Sequence, residues 1–220
     1  IYLNSFNNSD GIIFLSDFSK KILKKNLNLK NKIIKKIPHG VSKIFKFKKR
    51  RFNKQKIKLL YVSKLDIYKN QKKIILAFFY LKKFLNLQLS LIGSYEKNNK
   101  KILENEISQL NLNKYIKIFG KIDYKKLPKI YNQHDIKIYA SKSETFGMTM
   151  LEALKCGLPV LSIKNEISKE ILKDAGFYCK NNSHAIKDKL VEIIKNKKNL
   201  DKKILLGKKI SDRHQWKTTA

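Results

Sequence analysis

The chain has 220 residues, which is enough for one large domain or for one domain and part of another, and 42% of them are hydrophobic. No run approaches the roughly 18 to 20 consecutive apolar residues of a membrane-spanning helix, and no signal-peptide pattern opens the sequence. We therefore expect a soluble protein. The formal net charge of +33 invites the interpretation that the protein binds nucleic acid.

Two features of the charge argue against a nucleic-acid partner, and we expect none. Only three of the 50 basic residues are arginine, namely Arg50, Arg51 and Arg213, although the planar guanidinium suits bidentate recognition of phosphates and bases. The lysines are also spread along the chain instead of clustering. We interpret most of them as solvated surface residues, and it stays open that some hold the protein against an anionic membrane surface.

Short apolar runs alternate with helical patterns through most of the chain. The runs that predict strands are 11–16, 32–38, 56–63, 87–93, 115–120, 135–141, 158–163 and 176–180. The patterns that predict helices are 17–27, 70–85, 101–110, 124–133, a stretch from 145 onward, 168–173, 183–196 and 199–213. Strands separated by helices indicate βαβ units, so we predict an α/β fold with a doubly wound, Rossmann-like parallel sheet.

The segment 39–56 interrupts this alternation. It holds a turn after Pro38 and a run of positive charge, a pattern typical of a linker. It separates residues 1–38, with two predicted strands and one helix, from the longer block that follows. Because so small a piece cannot bury a core alone, we predict that it is the tail of a preceding domain.

The two cysteines, Cys156 and Cys179, lie within apolar segments. They lack the C-x-x-C or Cys/His spacing of a zinc site. We therefore expect reduced core residues and no metal site.

In a doubly wound sheet, ligands bind beyond the carboxyl ends of the strands, where the N–H groups of helix N-termini favour anions. The loop "SKLDIYKNQ" carries Lys64 and Lys69, whose ammonium groups could both face a diphosphate; chance placement stays open in so lysine-rich a chain. Gly93 in "IGSYEKN" and Gly120 in "FGKI" end strands, where a missing Cβ lets a ligand approach closely. An ordinary turn explains Gly93 equally well and is the favoured explanation of Gly120.

A fourth loop opens the stretch "SKSETFGMTMLEALKCGLPVLS", residues 141–162. We predict that Thr145, Phe146, Gly147 and Met148 form the first turn of a helix. The free N–H groups of that turn would attract an anion, and phosphate is the usual one.

Two acids, Glu144 and Glu152, flank that predicted turn. A buried carboxylate without partners is very costly, so Glu152 should reach a cleft or be well hydrogen-bonded. Its two oxygens suit the diol of a ribose, and a carboxylate satisfied by a neighbouring lysine is an equally open alternative. Glu144, in the loop beside the helix start, is better explained as an active-site acid than as a partner of the helix dipole.

Together these residues resemble the carboxyl-terminal half of the retaining GT-B glycosyltransferases known as glycosyl transferases group 1, or family four. Glu144 and Glu152, separated by seven residues, are similar to that group's E-x7-E signature, and "EALKCGLPV" to its EA-x-x-x-G-x-PV segment. "YVSKLDIYKNQKKIILAF" resembles its donor-phosphate loop, and "SKEILKDAGFY" and "QWKTTA" resemble later segments. "SDGIIFLSDFSKKIL" and "IPHGVSKIF" resemble the end of its acceptor-side domain and its interdomain linker.

The resemblance implies a retaining hexosyltransferase that moves a sugar from a nucleotide-diphosphate sugar to a glycan or lipid-linked acceptor, with no metal or other cofactor. It also implies a cytoplasmic protein in cell-surface polysaccharide or glycolipid synthesis, with contact at the inner face of the membrane left open. The domain division that it implies is 1–38 as the tail of the acceptor-side domain, 39–56 as the interdomain linker, 57–205 as the donor-binding domain, and 206–220 as the start of the C-terminal crossover helix.

The resemblance finally implies roles for individual residues. Glu144 is the catalytic residue that contacts the transferred sugar. The donor-binding residues are Lys64 and Lys69 for the diphosphate, Glu152 for the ribose hydroxyls, Phe146, Gly147 and Met148 along the sugar and phosphates, and Gly93 at its strand end.

Two departures from the family pattern bear on this prediction. Lys64 stands where arginine is usual and Asn70 where glycine is common, which puts donor affinity in question more than donor class. Most of the acceptor-side domain is absent from the sequence. The alternative is therefore a catalytically silent nucleotide-binding fragment.

Overall fold

Two parallel β-sheets organise the computed structural model, which describes residues 2–25, 27, 29, 31–49 and 55–219. The smaller sheet pairs β1 (Gly11–Phe14) with β2 (Ile33–Lys36). The larger sheet has six strands. In chain order they are β3 (Ile57–Val62), β4 (Leu87–Ile92), β5 (Ile116–Phe119), β6 (Ile136–Tyr139), β7 (Val160–Ile163) and β8 (Phe177–Cys179).

Helices flank these strands. In the described part of the chain they are α1 (Tyr2–Asn7), α2 (Asp17–Lys24), α3 (Gln71–Leu81), α4 (Lys97–Gln109), α5 (Leu127–Asn132), α6 (Met148–Lys155), α7 (Glu166–Leu172), α8 (Ser183–Lys195), α9 (Lys197–Arg213) and α10 (Trp216–Thr219). Short 3₁₀ segments lie at Ile67–Lys69, Tyr124–Lys126 and Lys173–Ala175.

The six strands lie in the order β5-β4-β3-β6-β7-β8, and every neighbouring pair is parallel. The order reverses direction at β3, which pairs with β4 on one side and β6 on the other. Strand β6 is buried at all four positions, as expected of a strand covered on both faces. This confirms the predicted doubly wound α/β fold.

Helices cover both faces of the large sheet. One apolar cluster joins the sheet to α3, α4 and α8, through residues such as Phe78, Ile107 and Leu190. A second cluster on the other face joins it to α5, α6 and α7, through Tyr131, Leu151 and other residues. The carboxyl ends of all six strands consequently meet at one open edge, which their loops occupy.

The opening segment packs against the rest of the chain. Helix α2 begins at Asp17, and the backbone N–H groups of Asp17 and Phe18 donate to the Glu170 carboxylate of α7 at 2.8 and 3.1 Å. The hydroxyl of Ser16 donates to the carbonyl of Thr145 at 2.7 Å. The smaller sheet and α2 thus lie beside the loop that leads into α6.

The predicted linker is partly buried. Val41 and Phe45 lie in the core, and the Val41 N–H donates to the carbonyl of His214 at 2.9 Å. Residues 50–54 lie outside the described residues. The domain division as a whole stays a prediction, although its boundary between residues 205 and 206 falls inside α9.

None of the helices in the described ranges is both long enough and apolar enough to cross a membrane. Cys156 and Cys179 are both buried, and within the described residues neither forms a disulfide, as the sequence predicts.

Candidate functional site

Three of the predicted loops join at the carboxyl edge of the sheet. The loop after β3 and the loop after β4 form a parallel bridge between Leu65 and Tyr95. The loop after β6 joins them, because the side-chain amide of Asn70 donates to the Ala140 carbonyl at 2.7 Å and the Lys142 N–H donates to the Tyr68 carbonyl at 3.0 Å. The structure therefore brings together segments that lie far apart in the sequence.

Gly93 is needed where the first two loops approach each other. Its φ is +152°, and a Cβ on it would lie 2.0 Å from the carbonyl oxygen of Ser63. No side chain fits this gap. The close approach is that of the protein's own backbone at Ser63.

The helix after β6 begins later than predicted. Gly147, with φ +83° in the left-handed region, caps the helix, and α6 starts at Met148. Thr145 and Phe146 therefore precede the helix and do not belong to its first turn, because a left-handed residue cannot continue a right-handed helix backward. This corrects the prediction that residues 145–148 form that turn.

Phe146 is a core residue. Its ring contacts the His39 ring edge-on at 5.3 Å and the His214 ring at 6.0 Å between centroids. It is almost fully buried. Phe146 thus ties the loop before α6 to the segment after Pro38 and to the end of α9, whereas Met148 is half-buried at the helix start.

Lys69 and Glu144 meet in this arrangement, as a side-chain ion pair that bridges the loops after β3 and β6. The Lys69 side chain is 7% exposed and the Glu144 side chain 25%. The backbone carbonyl of Lys69 accepts a hydrogen bond from the buried Tyr61 hydroxyl at 2.6 Å. The lysine is thereby held from both ends, with its charge directed to the edge of the sheet.

A cleft opens beside this ion pair. It has a volume of about 530 Å³. Its lining combines α2 with the two loops, namely Phe18, Ser19, Ile22, Leu23, Tyr68, Lys69, Ser143, Glu144 and Thr145.

Lys64 has a different environment from Lys69. Its ammonium lies 3.1 Å from Glu96 and 3.6 Å from Asp66, on the exposed side of the loop. Hydrogen bonding to Glu96 raises the pKa of Lys64. The two lysines predicted to share one diphosphate thus pair with different carboxylates, Lys69 with Glu144 and Lys64 with Glu96 and Asp66.

Glu152 is buried and hydrogen-bonded, as the cost of burying a carboxylate requires. Only 3% of the residue is exposed, and Oε2 accepts a hydrogen bond from the Tyr131 hydroxyl at 2.8 Å. Burial raises the pKa of Glu152, and Tyr131, Lys137 and Tyr124 each oppose that rise. Tyr124 is 44% exposed, and its hydroxyl interacts with the same carboxylate.

Sequence reasoning missed three of these groups, Tyr124, Tyr131 and Lys137. The tyrosines lie in a segment that reads as an ordinary amphipathic helix, which gives no signal of a polar role. Lys137 did leave a signal, because it is the one charged residue inside the apolar strand run "IKIYA".

In the described ranges, no cluster of three or more His, Cys, Asp or Glu residues could hold a metal ion.

Residues 42–209 match the family described as glycosyl transferases group 1. The uncharacterized glycosyltransferase MJ1178 of Methanocaldococcus jannaschii is 30% identical over 215 residues, which cover 95% of this chain and 56% of that protein. The chain therefore spans about half the length of this curated relative.

Two solved structures of low sequence identity share the fold. Anabaena Alr3699/HepE in complex with UDP and glucose is 18% identical at a TM-score of 0.84, over 97% of this chain and 61% of that one. The pneumococcal O-GlcNAc transferase GtfA in complex with UDP and GlcNAc is 20% identical at a TM-score of 0.83, over 99% of this chain and 45% of that one. At such identities the likeness shows the fold alone.

Proposed function

The chain belongs to the glycosyl transferases group 1 family, and we propose that it binds the nucleotide-diphosphate sugar in a retaining hexosyl transfer to a glycan or lipid-linked acceptor. The observation that carries this proposal is the meeting of Lys69 and Glu144 at the carboxyl edge of the sheet. That pair lies in the loops where a doubly wound fold binds its ligands.

Lys69 is the diphosphate ligand in this proposal. When the sugar leaves, negative charge concentrates on the nucleotide diphosphate, and a preorganised cation stabilises it more in the transition state than in the ground state. Lys69 is nearly buried, and the Tyr61 hydroxyl holds its backbone carbonyl at 2.6 Å, so the position of the residue in the loop is fixed before the donor binds. The start of α6 at Met148 adds N–H groups with a partial positive charge.

Glu144 is the catalytic residue that faces the transferred sugar. Without donor its carboxylate pairs with Lys69. With donor, the diphosphate takes the lysine and the carboxylate turns to the sugar hydroxyls, or to the positive charge that develops as the donor bond breaks. The cleft bounded by α2, Lys69 and Glu144 accommodates the sugar between them.

Glu152 accepts the ribose hydroxyls. It already accepts a hydrogen bond from Tyr131, and Tyr124 occupies its exposed side. The ribose diol displaces Tyr124 and replaces one hydroxyl donor by another, so the carboxylate is never left without a partner. Gly93, after β4, and Gly147, after β6, each adopt a positive φ that shapes the loop in which they lie.

Lys64 contributes less than the family's usual arginine. It lacks the bidentate fork, and two carboxylates already share its ammonium.

We propose that the protein works on cell-surface polysaccharide or glycolipid from the cytoplasmic side, where its net charge of +33 favours an anionic membrane surface.

Thermal denaturation with and without nucleotide tests the binding proposal. Uridine, guanosine or adenosine diphosphate should raise the melting temperature of the chain, since a ligand that binds only the folded state stabilises it. Glu152→Ala should abolish the shift. Glu104→Ala, which removes an exposed acid from α4, is the matched control and should retain it. Absence of a shift with all three nucleotides would refute the proposal for this chain.

A second experiment separates an enzyme from a catalytically silent nucleotide-binding fragment. The chain covers 56% of the length of its curated relative MJ1178, so the experiment supplies an acceptor domain separately. The chain is mixed with a nucleotide sugar and a supplied acceptor domain, and released nucleoside diphosphate is measured. Nucleotide binding without release of diphosphate supports the fragment, whereas a product of retained anomeric configuration supports the transferase.

A further inference from the structure

Lys137 occupies an unusual position for a lysine. It lies on the central strand β6 and is 0% exposed. In the part of the chain that the structure describes, its ammonium has no hydrogen-bond partner. Burying an unpartnered charge is costly, so a compensating interaction is expected close by.

The neighbours of Lys137 supply that interaction. Its ammonium lies 5.6 Å from the centroid of the Tyr131 ring, and the hydroxyl of the same tyrosine donates to Glu152 at 2.8 Å. Lys137 of β6 and Glu152 of α6 thus both contact the side chain of Tyr131, which lies on α5. Burial lowers the pKa of Lys137, and the negative charge of Glu152, followed by that of Glu144, opposes this fall.

We propose that Lys137 is a positioning residue for the nucleotide site: its buried ammonium keeps the Glu152 carboxyl ionised, and an ionised carboxyl can accept both ribose hydroxyls. A protonated carboxyl would offer one of its oxygens as a donor and lose an acceptor site. The role at the ribose rests on the proposed function, whereas the charge interaction between the two side chains does not.

Other titratable groups, on α5, on α6 and in the loop after β6, surround Lys137 and Glu152. Tyr124, beside α5, and Tyr131, on α5, interact with the Glu152 carboxylate. Cys156 lies one turn along α6 and interacts with Tyr131. Glu144, in the loop after β6, carries a second negative charge toward Lys137. Burial and the Glu152 charge raise the pKa of Tyr131 well above its ordinary value, so it stays a neutral donor.

Carboxyl titration tests the proposal without any nucleotide. Glutamate carboxyls labelled with carbon-13 are followed by NMR between about pH 5 and pH 9, and Glu152→Gln identifies the Glu152 signal. Lys137→Met, of similar length and without charge, should raise the pKa of Glu152 by at least about one unit, because an opposite charge nearby lowers a carboxyl pKa by about 1–3 units. Lys117→Met, which removes the charge of an exposed lysine on β5, should leave the pKa of Glu152 unchanged.

Nucleotide affinity provides the second readout. At pH 7, Lys137→Met should weaken uridine diphosphate binding about tenfold relative to wild type, since burial raises the pKa of Glu152 and the variant removes the charge that opposes this rise. The deficit should shrink as the pH rises and Glu152 ionises without the lysine. Lys137→Arg, which keeps the charge, should restore most of the affinity at pH 7.

The outcomes separate this inference from the proposed function. If Lys137→Met leaves the Glu152 pKa unchanged, or if wild-type Glu152 is still protonated at pH 7, the inference is overturned; the wild-type measurement decides even if the variant fails to fold. If the pKa shifts but affinity and its pH profile do not, the positioning role is overturned. If wild type binds no nucleotide while the pKa shifts as expected, the proposed function fails and the charge interaction stands.

Discussion

At the residue scale, the two lysines proposed to bind the donor differ in their environment. Lys69 is nearly buried and pairs with Glu144, whereas Lys64 is exposed and shared between Glu96 and Asp66. A charge-assisted hydrogen bond contributes about 1.5–3 kcal/mol where solvent is excluded. Exposed pairs contribute about 0–1 kcal/mol.

We therefore expect Lys69→Met to weaken nucleoside diphosphate binding by about ten- to a hundredfold. Lys64→Met should weaken it by less than about fivefold, since an exposed charge contributes little. Isothermal titration calorimetry at low and physiological salt measures both, and the matched pair of variants controls for loss of one positive charge. Equal losses would instead favour the sequence-based prediction that both lysines hold the diphosphate.

Individual residues were predictable where their chemistry is local. The spacing of Glu144 and Glu152 and the glycines at strand ends are visible in the sequence alone. The partners of those residues were not visible. Lys69 and Glu144 are 75 positions apart, and Lys137 meets Glu152 across a strand and a helix.

At the element scale, the predicted strands and helices formed with boundaries shifted by a few residues, whereas the short helices α1 and α10 were not predicted from apolar periodicity. The largest difference in the site is the start of α6. Gly147 adopts φ +83°, and this left-handed conformation prevents the helix from starting before Met148. Glycine permits this conformation without requiring it, so its presence in the sequence did not decide where the helix begins.

The conformation of Gly147 predicts a specific cost. A Cβ there would lie 2.5 Å from the Met150 methyl and 3.1 Å from the Tyr139 hydroxyl, with φ in the left-handed region. Gly147→Ala should lower the free energy of unfolding by about 1–3 kcal/mol, as measured by urea denaturation.

Gly120→Ala is the matched control for that measurement. A Cβ on Gly120 meets its nearest neighbour, Tyr95, at 3.9 Å, which is ordinary van der Waals contact. We expect a change within about 0.5 kcal/mol. Similar losses for the two variants would show that the left-handed cap is not needed.

At the scale of the whole molecule, the opening segment is held by contacts with the large domain. Glu170 accepts hydrogen bonds from the first two N–H groups of α2, as a capping side chain would. Glu170→Ala should destabilise α2 by about 1–2 kcal/mol. Amide hydrogen exchange in residues 17–24 should accelerate by roughly five- to thirtyfold, whereas the strands of the large sheet should exchange as before.

Glu166→Ala is the control, because the Glu166 carboxylate, on the same helix, makes an exposed ion pair with Lys21 at 3.1 Å. Its removal should change exchange in α2 by less than about threefold. Unchanged exchange in Glu170→Ala would mean that the smaller sheet and the apolar contacts of α2 hold the segment without this cap.

The sequence by itself determined the class of fold, and it predicted the edge of the sheet where ligands should bind and the acid pair proposed for that site. It could do so because periodicity, strand ends and short spacings are properties of neighbouring residues. Only the tertiary structure decided that β3 lies between β4 and β6, and this order brings Lys69 to Glu144 and leaves Lys64 with Glu96. Tertiary packing likewise gave Glu152, on α6, its neighbours Tyr131 from α5 and Lys137 from β6. Strand order and helix packing depend on contacts between distant segments, which no local pattern records.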